Sequence, residues 1–294
     1  MLRSSMIVLI ASLSTLAYAQ VPPNYIFQSS VINQNFPELM AHHGALDVNA
    51  VGQQQWAGFE GYPESYNINT AGYWHAARTA FGLSYENDQL GSFEFNRVQL
   101  AISPRFQVGK DLVFSSSAAV AFNQYNYQPR GDLIYFQHPP IKEVHASYRL
   151  GSGLIYKQHF LALNYHFDLS PNEENQLFRR YQLLNVLLGT SFDLGNIHIS
   201  PQLEAVSDLA SMRFQMSITS TYKGFQVALG YDHRGDVKTA VGYTYQQRFS
   251  IHYGYSMDTN PLAAPYIGTH SLGLRAVLFK DKARKVFLTN IGLI

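Results

Sequence analysis

The chain of 294 residues contains no cysteine, and only 14% of it is charged, against roughly 25% in ordinary soluble domains. Without cysteine there can be no disulfide framework, the usual reinforcement of exported proteins. A formal net charge of +1 excludes the basic excess that nucleic-acid binding requires. Beyond the first twenty residues no apolar run approaches the roughly 18 residues that mark a membrane-spanning helix. Tryptophan is scarce, with 2 residues, while Tyr (20) and Phe (19) are abundant.

What is present begins with an export signal. Arg3 gives a positive start, Met6 to Leu16 an apolar stretch, and Ala17-Tyr18-Ala19 a small-x-small site ahead of Gln20. That is the pattern of a cleaved signal peptide over residues 1–19. The stretch is shorter than the roughly 20 apolar residues a spanning helix needs.

The mature chain is written in period two. Val98, Leu100, Ile102, Pro104, Phe106 and Val108 fall on one face, and Gln99, Ala101, Ser103, Arg105 and Gln107 on the other. The same alternation runs through 197–205, 212–222, 237–245 and 249–255. Alternation of this kind puts every apolar side chain on one side of a strand. About fourteen strand candidates follow, starting near residues 45, 65, 79, 94, 111, 142, 153, 181, 195, 211, 224, 236, 248 and 269. Short links are expected near 76–78, 109–110, 151–152, 193–195, 223–224 and 247. Longer ones are expected at 57–63, 87–92, 124–140, 168–180, 206–210, 232–235 and 257–268.

Alternating loop lengths separate a transmembrane barrel from a soluble sandwich, because outer-membrane barrels have short periplasmic turns and long external loops. The expected fold is therefore all-β, a single transmembrane antiparallel β-barrel of about 14 strands (12–16). Residues 20–43 are expected as a periplasmic or plug-like N-terminal segment, 44–279 as the barrel and 280–294 as a basic-apolar tail. Inward faces read as mostly small or uncharged. Pro104 and Pro201 each lie inside a strand pattern and should mark a bulge or a strand end, since proline cannot donate to the ladder.

Three stretches resemble the PorP/SprF family of type IX secretion membrane proteins. "QWAGFEGYPESY" is similar to the family's Gln-Trp-x-Gly-Phe-x-Gly-x-Pro segment, at Gln55, Trp56, Gly58, Phe59, Gly61 and Pro63. "FGLSYENDQLGSFE" resembles its Gly-Leu hairpin, at Gly82, Asp88 and Gly91. "RFSIHYGYSMDTNPLAAPYIGTHSLGLR" resembles its last two strands, at Tyr255, Ser256, Asp258, Gly268, Thr269 and His270. The resemblance spans about residues 25–279. The chain departs from it in "NQNFPELMAHHG", where only Asn35 and Pro37 loosely match, and in the tail carrying Lys280, Lys282, Arg284 and Lys285.

The resemblance implies a bacterial outer-membrane protein of type IX secretion or gliding machinery, without enzymatic activity. It would help deliver or anchor a secreted adhesin or other cargo bearing a C-terminal sorting domain, and would meet periplasmic secretion-ring subunits. Its membrane partner would be outer-membrane lipid. Tyr62, Tyr135, Phe136, Glu173, Glu174 and Tyr266 are candidate contacts in the outer loops, since aromatics are enriched at interfaces; packing of the loops together is the alternative for each. A passive pore is the other functional reading.

No catalytic set, metal-ligand set or cofactor motif stands out. His42-His43 has no spaced partners, and no nucleophile elbow, phosphate loop or dinucleotide fingerprint occurs. Arg-Gly-Asp appears at 130–132 and 234–236, where Gly-Asp is ordinary turn chemistry.

Overall fold

The computed structural model describes residues 28–41, 46–55, 62–128, 140–169, 182–208, 211–259 and 268–279. Among them one short helix, α1 (Gln28–Asn35), and a single 3-10 turn (Pro37–Leu39) precede the strands. The strands are β1 (Leu46–Gln54), β2 (Glu64–Trp74), β3 (Thr79–Leu90), β4 (Phe93–Val108), β5 (Leu112–Tyr127), β6 (Ile141–Tyr156), β7 (His159–Leu169) and β8 (Gln182–Thr190). They continue as β9 (Phe192–Leu194), β10 (Ile197–Ser207), β11 (Met212–Tyr222), β12 (Phe225–Asp232), β13 (Asp236–Tyr245), β14 (Phe249–Asp258) and β15 (Thr269–Phe279). Successive strands pair antiparallel, except that β8 and β9 both pair with β10, and β15 pairs with β1, which closes the ring. Closure leaves no sheet edge for lipid to meet.

β8 and β9 are one strand, interrupted. Both pair with β10 in a single register, through Gln202↔Gly189 and Ile199↔Phe192. Pro201 sits opposite the break, while its pairing with Ile218 on the other side continues. The Ser191 N–H at the break donates instead to Gln158 O in the adjoining turn, at 3.1 Å. The wall is therefore a closed antiparallel barrel of fourteen strands. Pro104 behaves alike: the β4–β5 ladder skips from Ile102↔Ala118 to Arg105↔Ser115 without a register change. Neither proline makes a bulge; each interrupts one ladder over two residue pairs without shifting its register.

Four expected links are corrected. Residues 151–152 lie inside β6, and the turn comes at 157–158. The expected long link 87–92 shrinks to a two-residue turn, Gly91-Ser92, because β3 and β4 run on to Leu90 and from Phe93. The expected long links 206–210 and 232–235 also shrink, to four residues (208–211) and three (233–235). Only the links after β1, β5, β7 and β14 are therefore long, while the end that also holds the start of β1 and the end of β15 has turns of two to four residues throughout.

Outward faces carry the apolar residues, with Leu100, Ile102, Phe122, Leu150 and Leu229 all about half exposed or more. Such a surface is insoluble in water and suits hydrocarbon. β4, β5 and β6 have 16 residues each, whereas about 9–11 cross a bilayer. Their upper ends leave the apolar belt, where Glu94, Asn96, Gln124 and Asn126 replace aliphatic residues on the outward face. No helix among the described residues is long and apolar enough to cross a membrane.

The inward faces differ from the expectation of small or uncharged lining. Glu86 and Arg97 form a buried ion pair at 3.5 Å, Arg213 and Asp232 another at 3.8 Å, and Asp47 and Arg275 a third at 3.4 Å. Each charge alternates with outward apolar neighbours, so the period was legible, but pairing across strands places them against one another.

Candidate functional site

Two features could do work: the segment inside the barrel and the rim at the long-loop end. Residues 31–41 lie within the wall, and Leu39, Met40 and Ala41 are fully buried. Ser, Asn, Val and Ile are indifferent helix formers, so α1 owes its shape to what surrounds it. Pro37 suits the first position of the 3-10 turn, having no N–H to leave unsatisfied.

On one side the fit is apolar. Ile32, Phe36 and Leu39 pack with Ile155, Phe160, Ala162 and Leu187, while Met40 and Ala41 meet Ala71, Ala80, Ala101 and Ala119. Gly82 is close enough to Met40 that an added Cβ would stand 2.8 Å from its Sδ. On the other side the fit is polar. The Arg105 and Arg149 guanidiniums donate to the carbonyls of Met40 and Gln34, and Asn164 donates to Asn35 O at 2.8 Å. Gln34 Nε2 donates to Glu86 at 2.7 Å. The bonds to Gln34 O and Asn35 O satisfy carbonyls left open at the end of α1.

Glu38 is the one acid of this segment, and it is fully buried. It accepts from Ser117 Oγ at 3.0 Å and Asn164 Nδ2 at 3.1 Å. Burial pushes its carboxyl up to about 7, against the pull of those donors and of Arg149. Nothing in the amino-acid pattern announced this cluster, because its partners come from β5, β6 and β7.

At the rim, some of the motif positions lie on neighbouring strands, whereas Gly82 lies inside the barrel beside Met40. Tyr255 pairs with His270, His270 with Gln54, Gln54 with Glu64 and Glu64 with Gln89. This single lateral row crosses β14, β15, β1, β2 and β3. Gln55 and Pro63 flank it and join, Gln55 N donating to Pro63 O at 2.9 Å. Ser65 Oγ donates to Asp88 at 2.6 Å. Tyr253 OH bonds His270 Nδ1 at 2.6 Å, and the Tyr255 ring lies 5.2 Å from the His270 ring. Ser256 pairs with Thr269. Gly268 has φ +103, and a Cβ there would stand 2.7 Å from Ser256 O and from the Tyr255 ring. Gly91 turns the β3–β4 hairpin at φ +58. Asp258 ends β14 opposite Asp236.

Tyr62 hydrogen-bonds Glu64, and that bond raises its phenol above the ordinary value. Trp56, Gly58, Phe59, Gly61, Tyr135, Phe136, Glu173, Glu174, Tyr266, the histidines at 42–43 and the tail 280–294 lie outside the described residues. The Arg-Gly-Asp at 234–236 is a plain turn in which Arg234 N donates to Asp232 Oδ1 at 3.0 Å. Among the described residues no group of three His, Cys, Asp or Glu could hold a metal ion.

Solved structures with a similar fold are outer-membrane barrels. Omp33 of Acinetobacter baumannii aligns with TM-score 0.49 at 10% identity, over 79% of this chain and 96% of its own. The CymD monoaromatic hydrocarbon channel gives 0.48 at 10%, over 87% and 93%. The P. putida toluene transporter TodX gives 0.45 at 11%, over 80% and 90%. No curated protein matches the chain. The family model for the type IX secretion system membrane protein PorP/SprF matches residues 25–276, and the chain belongs to that family.

Proposed function

We propose that this outer-membrane barrel is a non-enzymatic holder in type IX secretion, which helps deliver and anchor a partner adhesin or other secreted protein at the cell surface. The observation that carries this reading is the seating of residues 31–41 inside the wall, against β1 to β8. A lumen partly filled by its own chain favours a fixed scaffold over free diffusion of solutes. Signal removal after residue 19 would free this segment to enter from the periplasmic end.

Cargo would meet the outer loops 57–63, 124–140, 168–180 and 257–268, beside the row from Tyr255 to Gln89. Tyr62 already stands at this level, bonded to Glu64. The basic tail 280–285 would face secretion-ring subunits. The test is a mild-detergent pull-down from the native outer membrane, with identification of what is retained, together with planar-bilayer recording. Recovery of an exported protein with a C-terminal sorting domain supports the holder. A barrel that emerges alone and conducts steadily is a pore.

A further inference from the structure

The short-turn rim is basic, and three of the five residues that make it so occupy costly backbone positions. Arg78, Lys110, Lys157, Lys223 and Arg248 stand in five of the six short turns, and all are exposed. None of them forms an ion pair among the described residues. Among the described residues of the short turns and the strand ends beside them the acids are Asp111 and Asp193, and Asp193 is held by His198 at 2.7 Å.

Three of these cations have left-handed backbone: Arg78 at φ 50, Lys157 at 53 and Lys223 at 49. Tight hairpin turns that need positive φ favour Asn, Asp or Gly. A cation at such a position is disfavoured by local structure, so its side chain answers to something else. Lys157 lies over the Tyr156 ring at 5.3 Å and Lys223 over the Tyr222 ring at 5.2 Å. Those rings point outward, in a belt with Trp74, Phe106 and Phe225. Aromatic belts mark the headgroup level, so the stacked ammonium groups stand where lipid phosphates lie.

We infer that this rim binds the anionic phospholipid headgroups of the periplasmic leaflet. Distribution around nearly the whole circumference fits a lipid annulus, whereas a protein partner would need its cations on one arc. Charge attraction of this kind falls away within a Debye length, which these turn-tip cations satisfy.

Trp74 sits beside the Arg78 turn, and Trp56→Phe leaves it as the sole tryptophan of the 2 in the chain. That protein, reconstituted in phosphatidylcholine vesicles, is titrated with dibrominated phosphatidylglycerol or dibrominated phosphatidylcholine, and Trp74 quenching is read. Phosphatidylglycerol should bind about fivefold more tightly per neighbouring cation, and the preference should fade at about 0.5 M salt. Arg78→Asn, Lys110→Ser, Lys157→Asn, Lys223→Asn and Arg248→Ser together should bring the ratio to about one. Asparagine accepts left-handed backbone, so this variant should fold, which its heat-dependent gel shift reports. Equal quenching by both lipids in the parent overturns the inference. So does a preference that survives the five changes, or an acidic periplasmic protein lost from the variant with lipid selectivity unchanged.

Discussion

Gly151 and Glu38 meet inside the barrel so closely that a Cβ on Gly151 would stand 2.5 Å from Glu38 Oε2 and 2.6 Å from Ser117 Oγ. The glycine makes room for the carboxylate. Gly151→Val should therefore expel the 37–39 turn while suiting β6, since β-branched residues favour strands.

The readout exploits the lack of cysteine. Met40→Cys introduces one thiol at a fully buried site, whose maleimide labelling reports opening of the segment. Losing the hydrogen bonds of a buried carboxyl costs about 2 kcal/mol, so Gly151→Val should speed labelling about thirtyfold. The idea fails if labelling is unchanged in a variant that still shows the folded gel shift.

Glu38 should also make docking depend on pH. Its carboxyl is raised from 4.5 to about 7 by burial, so the docked state holds the proton more tightly than the released one. Docking is then tightest below about 4.5 and weakens as pH rises through about 7. Ser117, Asn164 and Arg149 face the group and oppose the shift, which sets its limit. Labelling at Met40→Cys, divided by that of an exposed Ala77→Cys control, should rise over this window and stay flat with Glu38→Gln. A flat ratio in the parent would remove Glu38 as the titrating group.

The same contact shows what the amino-acid pattern could and could not convey. Gly151-Ser152-Gly153 reads as a turn, and local chemistry gives no other reason for two glycines so near. The reason is tertiary: a Cβ on Gly153 would also crowd Glu38, at 3.2 Å from Cγ. Asn87 and Asp88 likewise read as loop because they are polar, yet they belong to a strand that has already left the lipid. Alternation in Val98–Val108 was legible because lipid and lumen impose it residue by residue. Tyr255 and His270 were legible as motif positions, but the row they share with Gln54, Glu64 and Gln89 was not, since only ring closure between β15 and β1 brings its halves together.

The two motif glycines of positive φ should differ in how much an alanine costs. At Gly91 (φ +58) a Cβ meets nothing within 4 Å, so Gly91→Ala should cost only the backbone strain of about 1 kcal/mol. At Gly268 (φ +103) the Cβ also strikes Ser256 O and the Tyr255 ring, so about 3 kcal/mol is expected. Urea unfolding in lipid vesicles orders the two. Equal losses would mean that β14 and β15 do not approach as described.

The outward face offers the strictest check on the barrel itself. Leu100 lies between Leu83 and Val120, far from either rim, with its side chain 53% exposed. Val108, at 54% exposed, ends the same strand next to the turn of Lys110. Both look alike by exposure, but only Leu100 faces the middle of the hydrocarbon. Leu100→Arg should therefore cost about 2–4 kcal/mol and Val108→Arg under about 1 kcal/mol, because the cost of a cation falls toward the interface. Urea unfolding from vesicles measures both. If the two cost the same, the bilayer does not lie where the apolar belt places it; if neither costs anything, this face does not meet lipid at all.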